Sequence, residues 1–219
     1  MTEFHFPNPD SADQDGIVCF SDRINSDLLI RAYSKGIFPW PIEGIPLTPW
    51  FSPDPRAILR YPDFKTNRSL SKKIRAFRGS LTFNRDFKLV IDTCAGITRK
   101  GQHGTWITPE IISAYSELNK NGLALSAELR NENEGIIAGI YGVTVNGIFS
   151  AESMFHHEPN SGKILLYLLL NHFDNQNLSW IDVQVSSPHL SSLGAIDIKR
   201  KDFIALIASS KDPNRKLLA

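Results

Sequence analysis

The chain has 219 residues, 42% hydrophobic and 21% charged, with a formal net charge of +1, which suits one large globular domain or two small ones with a substantial core. No run of about 18 apolar residues occurs, which excludes a transmembrane helix, and Met1-Thr-Glu-Phe-His5 offers no basic region followed by an apolar core, so no signal peptide is expected. Cys19 and Cys94 lack C-x-x-C spacing and read as free thiols of a reducing cytoplasm.

Residues 1 to about 25 are polar and acidic and read as an irregular segment. Ser26 then reads as an N-cap, Leu28, Leu29, Ala32 and Tyr33 form one apolar stripe, and Gly36 closes the helix. Six prolines between Pro39 and Pro55 exclude regular helix through Trp50-Phe-Ser-Pro-Asp-Pro-Arg56. Ala57 to Tyr61 reads as a strand. Ser69 to Arg78 reads as a basic helix on Leu70, Ile74 and Phe77, with Lys72, Lys73 and Arg75 pointing elsewhere. Leu81 to Asn84 is a second strand, and Asp86 to Ala95 a helix on Phe87, Val90, Ile91 and Cys94. A loop runs from Ile97 to Ile107. Thr108-Pro109-Glu110 starts a helix that uses Ile111, Ile112, Tyr115 and Leu118 and ends at Gly122.

Leu123 to Leu129 alternates as a strand and Asn131 to Gly135 is a turn. Ile136 to Val145 and Ile148 to Phe155 flank Asn146-Gly147 as a hairpin with a type I′ turn. Period-2 alternation groups Ile148, Ser150, Glu152 and Met154 on one face, and Phe149, Ala151, Ser153 and Phe155 on the other. Read alone, Glu152 is either the solvated residue of an edge strand or a carboxylate that needs a partner. Ser161 to Phe173 is a helix, Trp180 to Val185 a strand, Leu190 to Leu193 a short helical piece, and Asp202 to Ile207 the start of another helix. The order β-β-β-α-β-α is a meander followed by a crossover. It predicts an α/β fold (α+β type) whose mixed sheet carries packed helices. Three divisions are expected: 1–60, rich in proline and aromatics, 61–110, basic, and 111–219, which carries the meander and the crossover.

From Lys65 to Lys100 ten basic residues meet two acids, so that window is about +8 and the remainder about −7. This is either the footprint of a polyanion partner or a solvated helix face. On the strand Trp180 to Val185, Asp182 and Gln184 share a face and are expected to hydrogen-bond, the carboxylate accepting from the side-chain amide. A wet outer face is the alternative. Gly162-Lys163 lacks the earlier glycine and the following Ser/Thr of a P-loop, no G-x-G-x-x-G follows a strand, the histidines have no metal-ligand spacing, and Ser153 lacks a nucleophile elbow.

Gly36-Ile-Phe-Pro-Trp40, Trp50-Phe-Ser-Pro-Asp-Pro-Arg56, Gly104-Thr-Trp-Ile-Thr108, Ala138-Gly-Ile-Tyr-Gly142, Glu152-Ser-Met-Phe155, Ile181-Asp-Val-Gln184 and Ser192-Leu-Gly-Ala195 occur in this order. Together they resemble the bacterial leucyl/phenylalanyl-tRNA–protein transferase family, from about residue 26 to 206. The resemblance implies a small N-terminal domain and an acetyltransferase-like (GNAT-like) C-terminal domain in a cytoplasmic monomer. It implies transfer of Leu or Phe, less well Met, from aminoacyl-tRNA to the α-amine of proteins that begin with Arg or Lys, in the N-degron pathway of protein degradation. No metal or diffusible cofactor is implied. By the family's pattern, Asp182 and Gln184 orient the attacking amine and assist its deprotonation, and Glu152 is an acidic residue of the active centre. Trp50, Phe51, Trp106, Tyr115, Met154 and Leu166 line the aminoacyl pocket or stack on the terminal adenine. Lys72, Lys73, Arg75 and Arg78 hold the acceptor stem. The sequence departs from the pattern at His156-His157, where Ser-Arg is usual, at Ser161-Gly-Lys163, at Phe20 to Asn25, and at Pro188 before His189. A CoA-dependent N-acyltransferase is an alternative reading, although His156 to Gly162 offers its pyrophosphate only one glycine. A non-catalytic adaptor for basic N-termini is another, and it needs Glu152 but not the basic zone.

Overall fold

The alternating apolar segments of the second half pair into one sheet in the computed structural model, which describes residues 4–97, 105–215, 217 and 218. Ten strands are present among the described residues: β1 (Ile17–Ser21), β2 (Phe38–Pro39), β3 (Thr48–Phe51), β4 (Arg56–Arg60), β5 (Ser80–Phe83), β6 (Ala124–Arg130), β7 (Ile136–Val143), β8 (Ser150–His156), β9 (Trp180–Gln184) and β10 (Ile196–Ile198). The helices are α1 (Ser26–Tyr33), α2 (Arg68–Ala76), α3 (Phe87–Gly96), α4 (Pro109–Lys120), α5 (Ser161–Asn175), α6 (Pro188–Ser192) and α7 (Arg200–Ser210). A small sheet has the order β1-β3-β2, and a seven-stranded sheet the order β10-β4-β9-β8-β7-β6-β5. All pairs in the larger sheet are antiparallel except β8 with β9, so the sheet is mixed. β4 and β5 come from before residue 111 and the other five strands from after it, so this sheet crosses the expected boundary at 110.

Local chemistry sets most of the element ends. Thr108 accepts from the Ile111 N–H at 3.3 Å, Pro109 fills the first helical position, and Gly122, at φ 72°, follows the end of α4. Asn25, one residue before the expected cap, accepts from the Leu28 N–H at 2.9 Å and starts α1. The first 25 residues are not wholly irregular, because Ile17–Ser21 finds a partner in β3. α6 begins at Pro188 rather than Leu190, with Ser187 as its cap, and α7 begins at Arg200. β10 is only three residues long and leaves no periodic signal.

Two apolar clusters lie against the larger sheet. One gathers α5, Leu70 of α2 and residues such as Leu125, Ala127, Ile140 and Phe149. The other gathers α1, α3 and α4 with Tyr141 and Phe155. The Asn146-Gly147 turn forms as expected: φ is positive at both residues, and the Ile148 N–H reaches the Val145 carbonyl at 3.2 Å. The strand pairing stops short of it, at Val143 opposite Ser150.

Within that hairpin, Tyr141 stands opposite Ser153 and Gly142 opposite Ala151, which leaves Glu152 as the extra residue of a β-bulge. The bulge overturns the expected alternation. Phe149, Ala151 and Met154 all pack with the α5 cluster, Phe155 packs with the other, and Glu152 turns away from Met154. Gly142 permits this. A Cβ there would lie 2.3 Å from the Ser150 carbonyl oxygen and 2.6 Å from the Phe149 ring. Gly142→Ala is expected to destabilise the fold by about 2 kcal/mol or more, read as a lower urea midpoint with an unchanged slope.

Candidate active site

A charged residue inside a sheet needs a counter-charge. Asp182, fully buried on β9, has one in Arg56 of the neighbouring β4, itself 1% exposed. The guanidinium donates to both carboxylate oxygens, Nε to Oδ1 at 2.8 Å and Nη2 to Oδ2 at 2.6 Å. It lies between the rings of Phe38, 4.6 Å from its centroid, and Phe203, 4.5 Å away. Its remaining nitrogen reaches the Gly36 carbonyl at 3.3 Å.

Asp182 Oδ1 also accepts the backbone N–H of Gln184 at 2.9 Å. The expected bond from the Gln184 side chain to Asp182 is therefore absent, and the main chain makes the contact instead. The reason is the backbone at Gln184. Its φ is 64°, and the Val185 N–H bonds the Val183 carbonyl at 2.8 Å, closing a γ-turn centred on Gln184. The strand alternation ends there, and the Gln184 side chain swings toward β8. Its amide nitrogen donates to Glu152 Oε1 at 2.7 Å. β8 and β9 pair at Ser150 and Asp182, with no later pair among the described residues, so Glu152 and Gln184 face each other across a divergence in the sheet.

Glu152 is thus not the solvated residue of an edge strand. Tyr33 of α1 donates to its Oε1 at 2.6 Å, and Tyr115 of α4 donates to its Oε2 at 3.0 Å. The two phenol oxygens also lie 2.7 Å apart, and with one proton each they fill two of these three contacts at a time. Burial pushes the Glu152 carboxyl from its ordinary 4.5 up to about 7. The hydrogen bonds from Tyr33 and Tyr115 pull it down, the Asp182 charge adds to the rise, and Arg56 opposes it. Burial, followed by the Glu152 charge, raises both phenols well above their usual range, so they remain neutral donors. The Gln184 carbonyl oxygen receives no hydrogen bond from the described residues, and Gln184 is only half-buried. The centre therefore presents an oriented neutral acceptor beside a carboxylate poised near neutrality.

The expected lining residues fall in two groups. Met154 and Leu166 belong to the cluster beneath α5, Met154 half-buried and Leu166 fully enclosed. Trp50, Phe51, Trp106 and Tyr115 belong to the opposite cluster. Trp50 is fully buried, with its indole N–H on the Ser21 hydroxyl at 2.8 Å and Phe6 against it edge-on at 4.8 Å, so neither face is open. Phe51 and Trp106 are half-buried. Lys72, Lys73, Arg75 and Arg78 are exposed on and just after α2, and none of them joins an ion pair among the described residues. Arg85 and Lys88 of the same basic window are paired with Glu134 and Asp92. Arg99, Lys100 and Gly104 lie outside the described residues. Sequence reasoning missed Arg56 and the polar role of Tyr33. Arg56 ends the proline-rich stretch, one residue before the strand expected from Ala57, and received no role. A carboxylate between the apolar Ile181 and Val183 of β9 was the signal that a cation had to be found.

Residues 58–208 match the family described as leucyl/phenylalanyl-tRNA protein transferase, and residues 22–54 match that family's N-terminal domain. The leucyl/phenylalanyl-tRNA–protein transferase of Shewanella sediminis is 42% identical over 209 residues, covering 94% of this chain and 87% of that protein. The protein of the same name from Maridesulfovibrio salexigens is 39% identical over 202 residues, covering 92% of this chain and 84% of that one. The one from Flavobacterium johnsoniae is 36% identical over 207 residues, covering 94% and 97%. Among solved structures, L-PGS from Bacillus licheniformis is 14% identical with a TM-score of 0.40, covering 77% of this chain and 54% of that one.

Removing one member of a buried ion pair strands the other. Arg56→Met is expected to cost about 3–5 kcal/mol in urea unfolding, and Arg56→Met with Asp182→Leu to recover most of that loss. The double variant removes the acceptor of the Gln184 N–H.

Proposed function

The chain belongs to the leucyl/phenylalanyl-tRNA–protein transferase family and is an aminoacyltransferase, and we propose that it moves Leu or Phe, less well Met, from tRNA to the α-amine of proteins beginning with Arg or Lys. This would place it in the cytoplasm, at the entry to N-degron-dependent degradation. The observation that carries the reading is the fixed amide of Gln184. With its nitrogen committed to Glu152, its carbonyl is an aimed acceptor for one N–H of an incoming amine. An aminoacyl ester is already activated, so aim and proton handling are the main help the reaction needs.

In this reading Asp182 supports Gln184 through its backbone N–H, and Glu152 shares the centre with the amine. Met154 lines a pocket for the donor side chain above the enclosed Leu166, where its flexibility suits both Leu and Phe. Phe51, backed by Phe38 and Trp40, and Trp106 offer stacking surface to the terminal adenine, with the buried Trp50 anchoring β3 through Ser21 and Tyr115 as a wall next to Glu152. Lys72, Lys73, Arg75 and Arg78, free of local ion pairs, are available to phosphates of the acceptor stem.

Purified protein incubated with radiolabelled Phe-tRNA or Leu-tRNA and an Arg-initiated peptide is expected to yield labelled peptide. No transfer at any salt concentration would overturn the reading. Replacing Lys72, Lys73 and Arg75 together by Ala should weaken tRNA binding about 10-fold or more. It should also flatten the salt dependence of log Kd by roughly 2, whereas unchanged binding would reject the assignment of α2.

A further inference from the structure

A base is needed wherever an amine becomes an amide, and the structure narrows the choice. The Gln184 carbonyl is an amide oxygen and a very weak base. Asp182 is closed to the amine: Arg56 holds both of its oxygens, the Gln184 N–H adds a third bond, and no part of it is exposed. Glu152 is the remaining carboxylate at the divergence of β8 and β9. Its Oε1 already accepts from Tyr33 and Gln184, while Oε2 accepts only from Tyr115 and keeps a lone pair. The bulge is what turns this carboxylate away from the α5 face toward Gln184.

We propose that Glu152 takes the proton of the attacking α-amine, that Gln184 only orients that amine, and that Tyr33 and Tyr115 are positioning residues that hold the Glu152 carboxylate. This rests on the transfer reading above. The nitrogen lone pair of the neutral amine forms a C–N bond to the ester carbonyl carbon, and the carbonyl π pair moves onto its oxygen. Glu152 Oε2 takes one N–H proton. The carbonyl re-forms, the C–O bond to the ribose of the terminal adenosine breaks, and the departing ribose oxygen takes the proton back from Glu152. The products are an amide and a ribose hydroxyl, and Glu152 is again ionised. A carboxyl near neutrality is matched to such a two-way transfer. The charged and titratable groups that face it are Tyr33 on α1, Tyr115 on α4 with Tyr141 of β7 edge-on to it at 5.7 Å, Asp182 on β9 and Arg56 on β4.

Single-turnover transfer from Phe-tRNA to an Arg-initiated peptide, with enzyme saturating and over about pH 5.5 to 8.5, tests this. Two groups must lose a proton, the amine and Glu152, so the wild-type rate is expected to fall on the acid side with a second-order dependence on protons. Glu152→Gln should lower the rate at the alkaline end by about 100-fold or more and leave a first-order dependence. Glu152→Asp should restore the second-order dependence with part of the rate. Tyr33→Phe removes a hydrogen bond that favours the ionised carboxylate, so its acid break should move to higher pH. Tyr115→Phe should do the same and serves if the first variant does not fold. Glu152→Gln with the wild-type rate and pH profile would overturn the inference, as would a loss of Phe-tRNA affinity in filter binding that accounts for its whole loss of rate. No transfer by the wild type would instead mean that the transfer reading itself fails.

Discussion

The bidentate pair of Arg56 and Asp182 is the constraint on which the centre of this molecule depends. Two full charges are held where water does not reach, and the cost of taking them out of water is offset only because every group finds a partner. The guanidinium has the carboxylate in its plane, Phe38 and Phe203 at its faces and the Gly36 carbonyl on its remaining nitrogen. Such a pair adds little net stability over a well-packed apolar one. What it does is fix position: β4 lies between β9 and β10, α7 lies where Phe203 can cover the arginine, and Asp182 cannot rotate. A carboxylate that cannot rotate is a rigid acceptor for the next backbone N–H along the strand, and that N–H belongs to Gln184.

From there the order passes to two irregularities on adjacent strands. A bulge on β8 presents Glu152 and a γ-turn on β9 presents Gln184, each where regular alternation would have pointed the side chain elsewhere. Positive φ at a non-glycine residue costs of order 1–3 kcal/mol and persists only where the surroundings enforce it. Here the buried ion pair does so from one side and Glu152 from the other. The tyrosine pair completes the arrangement. Tyr33 and Tyr115 come from helices far apart in the chain, yet their hydroxyls meet at the same carboxylate. Glu152 is thereby left between two opposing influences, burial that favours its neutral form and hydrogen bonds that favour its charged form.

Regular structure was legible in the sequence wherever a side chain or a glycine announced it. Thr108-Pro109 opened a helix, Gly122 closed it, Asn146-Gly147 turned, and the stripes Leu28 to Tyr33 and Phe87 to Cys94 are buried as their spacing implies. The centre was legible as residues but not as geometry. A bulge shifts register without changing composition, so Met154 was expected beside Glu152 and instead packs with Phe149 and Ala151 against α5. A buried salt bridge between distant segments carries no local periodicity, so nothing in the sequence around Arg56 marked it as the partner of Asp182. Tyr33 fitted an apolar stripe so well that its hydroxyl was overlooked, although a buried phenol always needs a partner. Strands as short as β2 and β10 exist because a neighbour supplies their hydrogen bonds, and nothing within them signals it.

The separation of 126 positions between Arg56 and Asp182 bears on the order in which the protein matures. β4 is made early, but both strands that flank it in the sheet are made late. A growing polypeptide exposes its amino-terminal segments first, and pairings this remote in sequence close slowly. A nascent chain can therefore display the basic surface of α2 long before it owns Asp182 or Gln184. Until then Arg56 has no carboxylate to neutralise it, so the buried pair, and with it the fixed geometry of Gln184 and Glu152, forms only once the carboxy-terminal third has been made.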